Sequence, residues 1–371
     1  MRYINLIFKN LTFIFIMKSY KIDCKCDVLS YINNYDNKCI DHKLLQNLYS
    51  TKTFIDKIDI NKWEKFKKLN NKYEYIYTSP NKTRNISNVE PISRSYFKLH
   101  EIIKDFGIYE FDLSSCIAEG PGGFINCLLD HNIKDIYGIT LLTNDRRIPF
   151  WNSDLVKNPN VHINTKINTG NIYIKNNSLE FINNIRQKGY SKFITSDGGF
   201  DYSTDFNKQE ISSYKLIFCE IFIAMNIQAE GGNFIIKVFD IFYHKTIQLL
   251  YLLFLAYDEI YIYKPTISRL SNSEKYIVCK GFKPFNKEII DLLDKYYDNC
   301  NNLHINIPEE FIEKINEYNN LFVNNQINYI NNILKFNVRN ISERIKEQIQ
   351  CSYDWCIKYG IPINNECVYL K

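Results

Sequence analysis

From Ser93 onward the chain alternates two kinds of apolar spacing. Phe97, Leu99, Ile102, Ile103 and Phe106 recur three and four residues apart and stop at Gly107, which predicts a helix with Lys98 on its polar side. An apolar run then ends in Ile117-Ala118-Glu119-Gly120-Pro121-Gly122-Gly123-Phe124. Ile125, Cys127, Leu128 and Leu129 resume helical spacing, so this segment reads as strand, loop, helix. Short apolar runs at 136–139, 193–195, 233–238, 259–263 and 276–279 have the length of strands, and helical stretches over 214–229 and 243–257 separate several of them. Alternation of this kind predicts an α/β fold with a mostly parallel, doubly wound sheet and helices on both faces. The last two runs have no helix between them, which predicts an antiparallel pair at the sheet edge.

The flanks differ in character. Residues 1–90 are rich in Asn, Lys and Tyr and end in the polar run Ser79-Pro80-Asn81-Lys82-Thr83-Arg84-Asn85, so they read as a mainly helical leader with a linker. Beyond about residue 285, Phe311, Ile315, Tyr318, Leu321, Phe322, Ile330, Ile333 and Leu334 return to helical spacing. The expected organisation is a leader over 1–90, a central α/β domain over 91–285 and a helical extension over 286–371. The opening stretch 4–17 is apolar, but Lys9 and Asn10 interrupt it and its runs are too short to span a bilayer, so a packed element and no membrane partner are expected. Met17, followed by Lys18 and Lys21, is an alternative start of translation.

Composition narrows the class without choosing a function. With 371 residues and 45% hydrophobic content the chain can bury a large core, which excludes a disordered protein. Lys and Arg number 46 against 41 Asp and Glu, a net charge of +5 that suits RNA and equally suits many ordinary enzymes. The crowding of Asn, Ile, Lys and Tyr reads as AT-rich coding rather than as a demand of the fold. The 11 cysteines are scattered, and neither Cys24-Lys25-Cys26 nor Cys351 with Cys356 has a second pair at zinc-ligand spacing with a suitable histidine. A reduced, intracellular protein is the default, cytoplasmic or nuclear.

Two features carry chemistry by themselves. In an open α/β sheet ligands bind beyond the carboxyl ends of the strands, where Gly120, Gly122 and Gly123 would let a cofactor approach the backbone, although a tight turn explains them equally. Pro121 departs from the G-x-G-x-x-G dinucleotide pattern, so a nicotinamide enzyme is a poor fit. Lys237 interrupts the otherwise apolar strand 234–239, where a charge is costly unless it faces a site. Taken singly, Lys98 and Glu274 read as solvated surface charges, and Asp197 before two glycines reads as the start of a turn.

In combination, six segments between about residues 93 and 283 resemble the FtsJ-like RNA ribose 2′-O-methyltransferases, above all the eukaryotic and viral messenger-RNA cap (nucleoside-2′-O-)-methyltransferases. They are Ser93-Arg94-Ser95-Tyr96-Phe97-Lys98, Glu119-Gly120-Pro121-Gly122-Gly123-Phe124, Tyr137-Gly138-Ile139-Thr140-Leu141, Ser196-Asp197-Gly198-Gly199-Phe200, the run from Gly231 to Asp240, and the run from Lys264 to Phe282. A weaker likeness surrounds Tyr359-Gly360-Ile361-Pro362.

The resemblance implies a Rossmann-like methyltransferase sheet of about seven strands flanked by helices, S-adenosylmethionine as methyl donor, and a catalytic tetrad at Lys98, Asp197, Lys237 and Glu274. By this likeness Lys237 is the general base for the ribose hydroxyl. Lys98 supplies positive charge and helps to fix the hydroxyl, and Asp197 and Glu274 orient the lysines. No metal is required, since both carboxylates are assigned to lysines. A lysine acts as base only when neutral; a second ammonium and burial favour that form while the carboxylates oppose it, and the sequence leaves the balance open.

Glu119, Gly120, Pro121, Gly122, Gly123, Phe124 and Asp197 would bind the cofactor. Some relatives have acidic residues where Cys116 and Asn171 stand, which puts the adenine-holding residue in doubt and leaves Asn171 as a candidate. Arg94, Lys264, Arg269 and Lys275 would face RNA phosphates, with Ser268, Ser271 and Asn272 near the ribose. A methylated guanine would stack between aromatics, but 28 Tyr and 25 Phe do not single out a pair. The implied partner is capped mRNA, with other capping enzymes or an RNA polymerase beside it, in the cytoplasm (a viral factory or virion included) or the nucleus. Other readings stay open: a ribosomal or transfer RNA 2′-O-methyltransferase, a non-catalytic RNA-binding subunit of a capping or polyadenylation complex, and a dinucleotide enzyme.

Overall fold

Apolar runs flanked by turn residues form the strands of one sheet, and the helically spaced runs cover its two faces. The computed structural model describes residues 18–25, 28–32, 37–109, 112–167, 169–199, 206–284, 287–335 and 341–371, so the apolar opening stretch 4–17 lies outside the described residues. In chain order the first half consists of β1 (Ser19–Lys21), α1 (His42–Thr53), α2 (Ile60–Asn70), α3 (Ser95–Phe106), β2 (Leu113–Ile117), α4 (Gly123–Asp130), β3 (Asp135–Ile139), α5 (Ser153–Lys157) and β4 (Val161–Ile163). Then follow α6 (Lys175–Arg186), β5 (Ser191–Ser196), α7 (Gln209–Ile227), β6 (Gln228–Val238), α8 (His244–Ala256), β7 (Tyr257–Tyr263), β8 (Lys275–Phe282), α9 (Lys287–Lys295), α10 (Glu309–Leu334) and α11 (Ile341–Tyr359). Among the described residues no helix is long and apolar enough to cross a membrane.

The strand order is β1-β7-β8-β6-β5-β2-β3-β4. From β6 to β4 all neighbours are parallel, whereas β8 runs antiparallel to both β6 and β7, and β1 runs antiparallel to β7. Among the described residues the sheet thus has eight strands, where about seven were expected. The three-residue β1 and β4 are too short to leave a periodic signal. β7 and β8 are antiparallel as predicted, but they do not form the edge, because β8 inserts between β6 and β7 and the leader adds β1 outside β7.

Central strands covered on both faces read as continuous apolar runs, and alternate residues serve opposite cores. In β6, Phe234 and Ile236 point into a core with α6, α7, α8 and α10, while Ile235 joins Phe97, Leu99 and Ile102 of α3 and Phe124 of α4 on the other side. Lys237 lies two residues after Ile235, and so on the α3 side. Leu44, Leu45 and Leu48 of α1 enter the first core, and Trp355 and Tyr359 of α11 the second, so both flanks pack against the sheet domain. The α3 helix ends at Gly107 with φ 61°, a left-handed turn that glycine adopts at little cost.

One buried carboxylate joins these parts. Glu101, on α3 and fully buried, accepts at Oε1 from the Tyr263 hydroxyl (3.0 Å), the Thr266 N–H (2.7 Å) and the Thr266 hydroxyl (2.8 Å), and pairs with the Lys18 ammonium (2.7 Å). Its Oε2 accepts from the Trp355 indole at 3.1 Å. Removing one member of a buried charged network costs on the order of 3–5 kcal/mol, because the others stay behind unpaired. Glu101→Ala is therefore expected to lower the unfolding free energy by about that amount in urea denaturation, and Glu101→Gln, which keeps one acceptor, by less. Unchanged midpoints in both variants would show that the carboxylate is not a keystone.

Candidate active site

The strands β5 and β6 end side by side, and their last residues begin the site. Directly after β5 comes Asp197-Gly198-Gly199, where a Cβ on Gly198 would lie 2.2 Å from Glu220 Oε1, so only glycine lets that carboxylate approach the turn. On β6, Lys237 is registered opposite Tyr276 of β8, which places both side chains on one face. Both reach Asp197. The Lys237 ammonium donates to the Asp197 carbonyl at 2.6 Å and lies 3.2 Å from Oδ1, and the Tyr276 hydroxyl donates to Oδ1 at 2.8 Å.

A second ion pair stands beside the first. Lys98, in the first turn of α3, donates to Glu274 Oε2 at 2.8 Å, while Glu274 Oε1 accepts from the Ser268 hydroxyl at 2.8 Å. The four side chains retain between 12% and 16% of their surface, so they are shielded yet reachable. The pairs also feel each other. Burial works to raise the Glu274 carboxyl, but Lys98, Lys237 and Lys264 outweigh it and hold the group down at about 2. Burial works to lower Lys237, but Asp197, Glu274 and Glu220 outweigh it and raise its pKa above the ordinary lysine value. Within the protein alone the carboxylates win the contest that the sequence left open, and Lys237 is an ammonium at neutral pH.

The glycine loop lies at the carboxyl end of β2. Glu119 is buried; its Oε1 accepts the Phe124 N–H at 2.6 Å, closing the loop onto the start of α4, and burial pushes its carboxyl well above the usual carboxylate range. Its Oε2 makes no hydrogen bond, nor does the buried Ser196 hydroxyl at the end of β5. Buried polar atoms left open beside a glycine loop suit the amino and hydroxyl groups of a ligand. Gly120 donates to Thr140 Oγ1 at 3.1 Å, the Pro121 carbonyl accepts from Asn152 N–H at 3.0 Å, and Gly122, at φ 111°, precedes Gly123 at the head of α4. The Phe124 ring goes into the core. Asn171 is half-buried after Gly170, which packs against the end of β3 so tightly that a Cβ would lie 1.7 Å from the Thr140 carbonyl. The Asn171 Oδ1 accepts the Tyr173 N–H at 3.0 Å.

The basic residues read as RNA-facing are mostly turned inward. Lys264 and Lys275 are buried; Lys264 donates to the Asn272 carbonyl and side chain and to the Glu274 carbonyl, and Lys275 to the Phe239 carbonyl. Arg94 donates to the Tyr77 carbonyl at 2.7 Å, and both Arg94 (3.8 Å) and Arg269 (3.5 Å) lie within ion-pair reach of Glu74. Ser268 is buried against Glu274, whereas Ser271 is half-exposed and Asn272 exposed on the loop between β7 and β8. Lys264, Ser268, Arg269, Ser271, Asn272 and Lys275 lie on that loop or at its two ends, whereas Arg94 stands at the start of α3, and burial disfavours the charge on both Lys264 and Lys275.

Sequence reasoning missed Tyr276, Glu220 and the pair Lys52–Asp240. Glu220 sits fully buried in the apolar stretch 216–227 of α7 and helps to hold the proton on Lys237. Like Lys237, Glu220 is a charge within an apolar run, and the same signal marks it. Tyr276 carries no such mark, because a tyrosine in a strand is ordinary. Lys52 of α1 donates to Asp240 Oδ2 at 2.9 Å, and Asp240 also accepts the hydroxyl of Ser273, the neighbour of Glu274.

The profile of the FtsJ-like methyltransferase family matches residues 91–282 of the 371, more than half of the chain. The chain is 31% identical over 268 residues to cap-specific mRNA (nucleoside-2′-O-)-methyltransferase 1A of Caenorhabditis briggsae, which covers 66% of this chain and 30% of that protein. It is 39% identical over 112 residues to cap-specific mRNA (nucleoside-2′-O-)-methyltransferase 1 of Homo sapiens, covering 30% and 13%. A Caenorhabditis briggsae relative named as an inactive cap-specific mRNA (nucleoside-2′-O-)-methyltransferase 1B is 29% identical over 268 residues, covering 66% of this chain and 31% of that protein. The chain spans less than a third of the length of each of these relatives. Among solved structures, a Plasmodium falciparum protein described as a ribosomal RNA methyltransferase superposes with a TM-score of 0.40 at 22% identity, over 51% of this chain and 97% of that one. With its glycine loop and four charged side chains gathered at the carboxyl ends of the strands, the chain belongs to the FtsJ-like methyltransferase family.

Proposed function

We propose that this chain transfers the methyl group of S-adenosylmethionine to the ribose 2′-oxygen of the first transcribed nucleotide of capped RNA. The observation that carries the reading is the pair of interlocked ion pairs, Lys237 with Asp197 and Lys98 with Glu274, beside the Glu119–Phe124 loop. Family membership by itself is insufficient support, because one relative is named inactive. The cap as substrate is supported by the names of the relatives matched over 268 and 112 residues.

The bound cofactor supplies a methyl group on a positively charged sulfur. The protein supplies the rest. Asp197 is fixed by Tyr276 and Lys237, so it holds the Lys237 ammonium at a defined place. Ser268 fixes Glu274, and Glu274 in turn fixes Lys98, which positions a second ammonium to orient the hydroxyl. Lys237 accepts the ribose proton only after losing its own, and added positive charge beside it favours that loss. Glu119 Oε2 and the Ser196 hydroxyl, which have no partner within the protein, would hold the amino-acid part of the cofactor.

Lys237→Ala is expected to abolish transfer while leaving S-adenosylmethionine binding within about twofold in calorimetry; parallel loss of both would mean a structural role. Because the Lys237 pKa is raised, its neutral fraction grows about tenfold per pH unit below that value. Single-turnover transfer should therefore rise steadily between roughly pH 7 and 10, and a flat profile would remove Lys237 as the base. A third measurement compares methyl transfer to capped RNA, uncapped RNA and structured ribosomal or transfer RNA, with the modified atom located by mass spectrometry. The expected result is a ribose methyl on the cap-adjacent nucleotide. Preference for structured RNA would support the ribosomal or transfer RNA reading, and binding without transfer a non-catalytic subunit.

A further inference from the structure

Between α3 and the end of α4, His100, Cys127 and His131 place one donor atom each within 4.8 Å of one another. Cys127 and His131 are four residues apart, at and just beyond the last turn of α4, and so share a face. His100 faces them from α3, its ring 5.5 Å from that of His131 and tilted by 35°.

The tautomer of His100 points to a cation. Its Nε2 lies 2.8 Å from the Tyr359 carbonyl, and a carbonyl only accepts, so Nε2 carries the hydrogen and Nδ1 carries the lone pair. That Nδ1 is buried in a residue only 7% exposed and makes no hydrogen bond. Metal-bound histidines are held in this way, one nitrogen on the ion and the other donating to a backbone carbonyl. Cys127 is fully buried, whereas His131 is half-buried and gives an ion a route from solvent. Burial disfavours the charged form of all three groups, lowering both imidazoles and raising the Cys127 thiol, whose proton the ion has to displace. Lys104 contributes positive charge to both histidines, and Asp130 offsets part of it at His100.

We propose that His100 Nδ1, the Cys127 thiolate and a ring nitrogen of His131 bind a zinc ion, with water completing the tetrahedron. Binding replaces the Cys127 S–H bond by a zinc–sulfur bond and releases the proton to solvent, with no change of oxidation state. Zinc–nitrogen bonds of about 2.0–2.1 Å and a zinc–sulfur bond of about 2.3 Å put tetrahedral donors roughly 3.4–3.6 Å apart. Closing the triad around the ion therefore takes side-chain movement on the order of 1 Å. The role is structural. Lys98 lies two residues before His100 on α3, and α4 begins inside the glycine loop, so the ion would tie together the two helices that carry one tetrad lysine and the loop.

The test uses the full chain, stripped with chelator and titrated with cobalt(II) alone. One equivalent should give the intense visible bands of tetrahedral cobalt and a near-ultraviolet thiolate-to-cobalt band, and zinc should bleach both. Cys127→Ala should lose the thiolate band, and both it and His100→Gln should bind cobalt at least about tenfold more weakly. Zinc should raise the melting temperature of the wild type but not of Cys127→Ala. The proposal is overturned if the wild type shows no saturable cobalt binding near one equivalent, a result that needs no variant to fold. It is overturned equally if either variant keeps the wild-type spectrum and affinity. No methyl transfer is read out, so the outcome is independent of the function proposed above.

Discussion

The geometry of this molecule hangs on a carboxylate that no solvent reaches. Glu101 gathers donors from the leader, from β7, from the loop that follows it and from α11. A buried anion is tolerated only when its oxygens are bonded from several sides, so segments far apart in sequence are drawn to one point. The point matters because α3 also carries Lys98, three residues earlier, and because the loop anchored at Thr266 continues through Ser268 to Glu274. The Lys98–Glu274 pair thus inherits its position from a network on the next turn of the same helix.

The second pair is set differently, by strand register. Lys237 and Tyr276 face the same way because they are opposed across β6 and β8, and Asp197 enters from the end of β5 between them. One pair is held by helix and loop, the other by sheet, and the electrostatic coupling of Glu274 to Lys237 joins them. Such a cluster holds a lysine proton firmly at rest, and new positive charge has the largest effect on it when water is scarce.

Much of this was legible in the chain. The spacing of Phe97, Leu99, Ile102 and Ile103 marked α3, the run from Phe234 to Val238 marked a buried strand, and Lys237 stood out as a charge within it. Periodicity failed where elements are three residues long, as in β1 and β4, since two alternations do not make a pattern. It also failed for edge order, because spacing along a chain says nothing about which strand β8 slides beside. Lys264 and Lys275 show the limit of reading charge as surface: each is buried against backbone carbonyls that only the folded loop brings near. His100 and Cys127 escaped notice for a related reason, since a donor set split between two helices has no fixed spacing to recognise.

The strand contributed by the leader has a consequence for how the molecule behaves among its copies. The residues Ser19, Tyr20 and Lys21 occupy the outer hydrogen-bonding positions of Tyr261, Ile262 and Tyr263. An uncovered strand of that length, rich in tyrosine and isoleucine, is a template for pairing with a neighbour. The short leading ribbon covers it, and the Lys21 ammonium fastens the ribbon to that strand through Glu259 Oε1 at 2.8 Å.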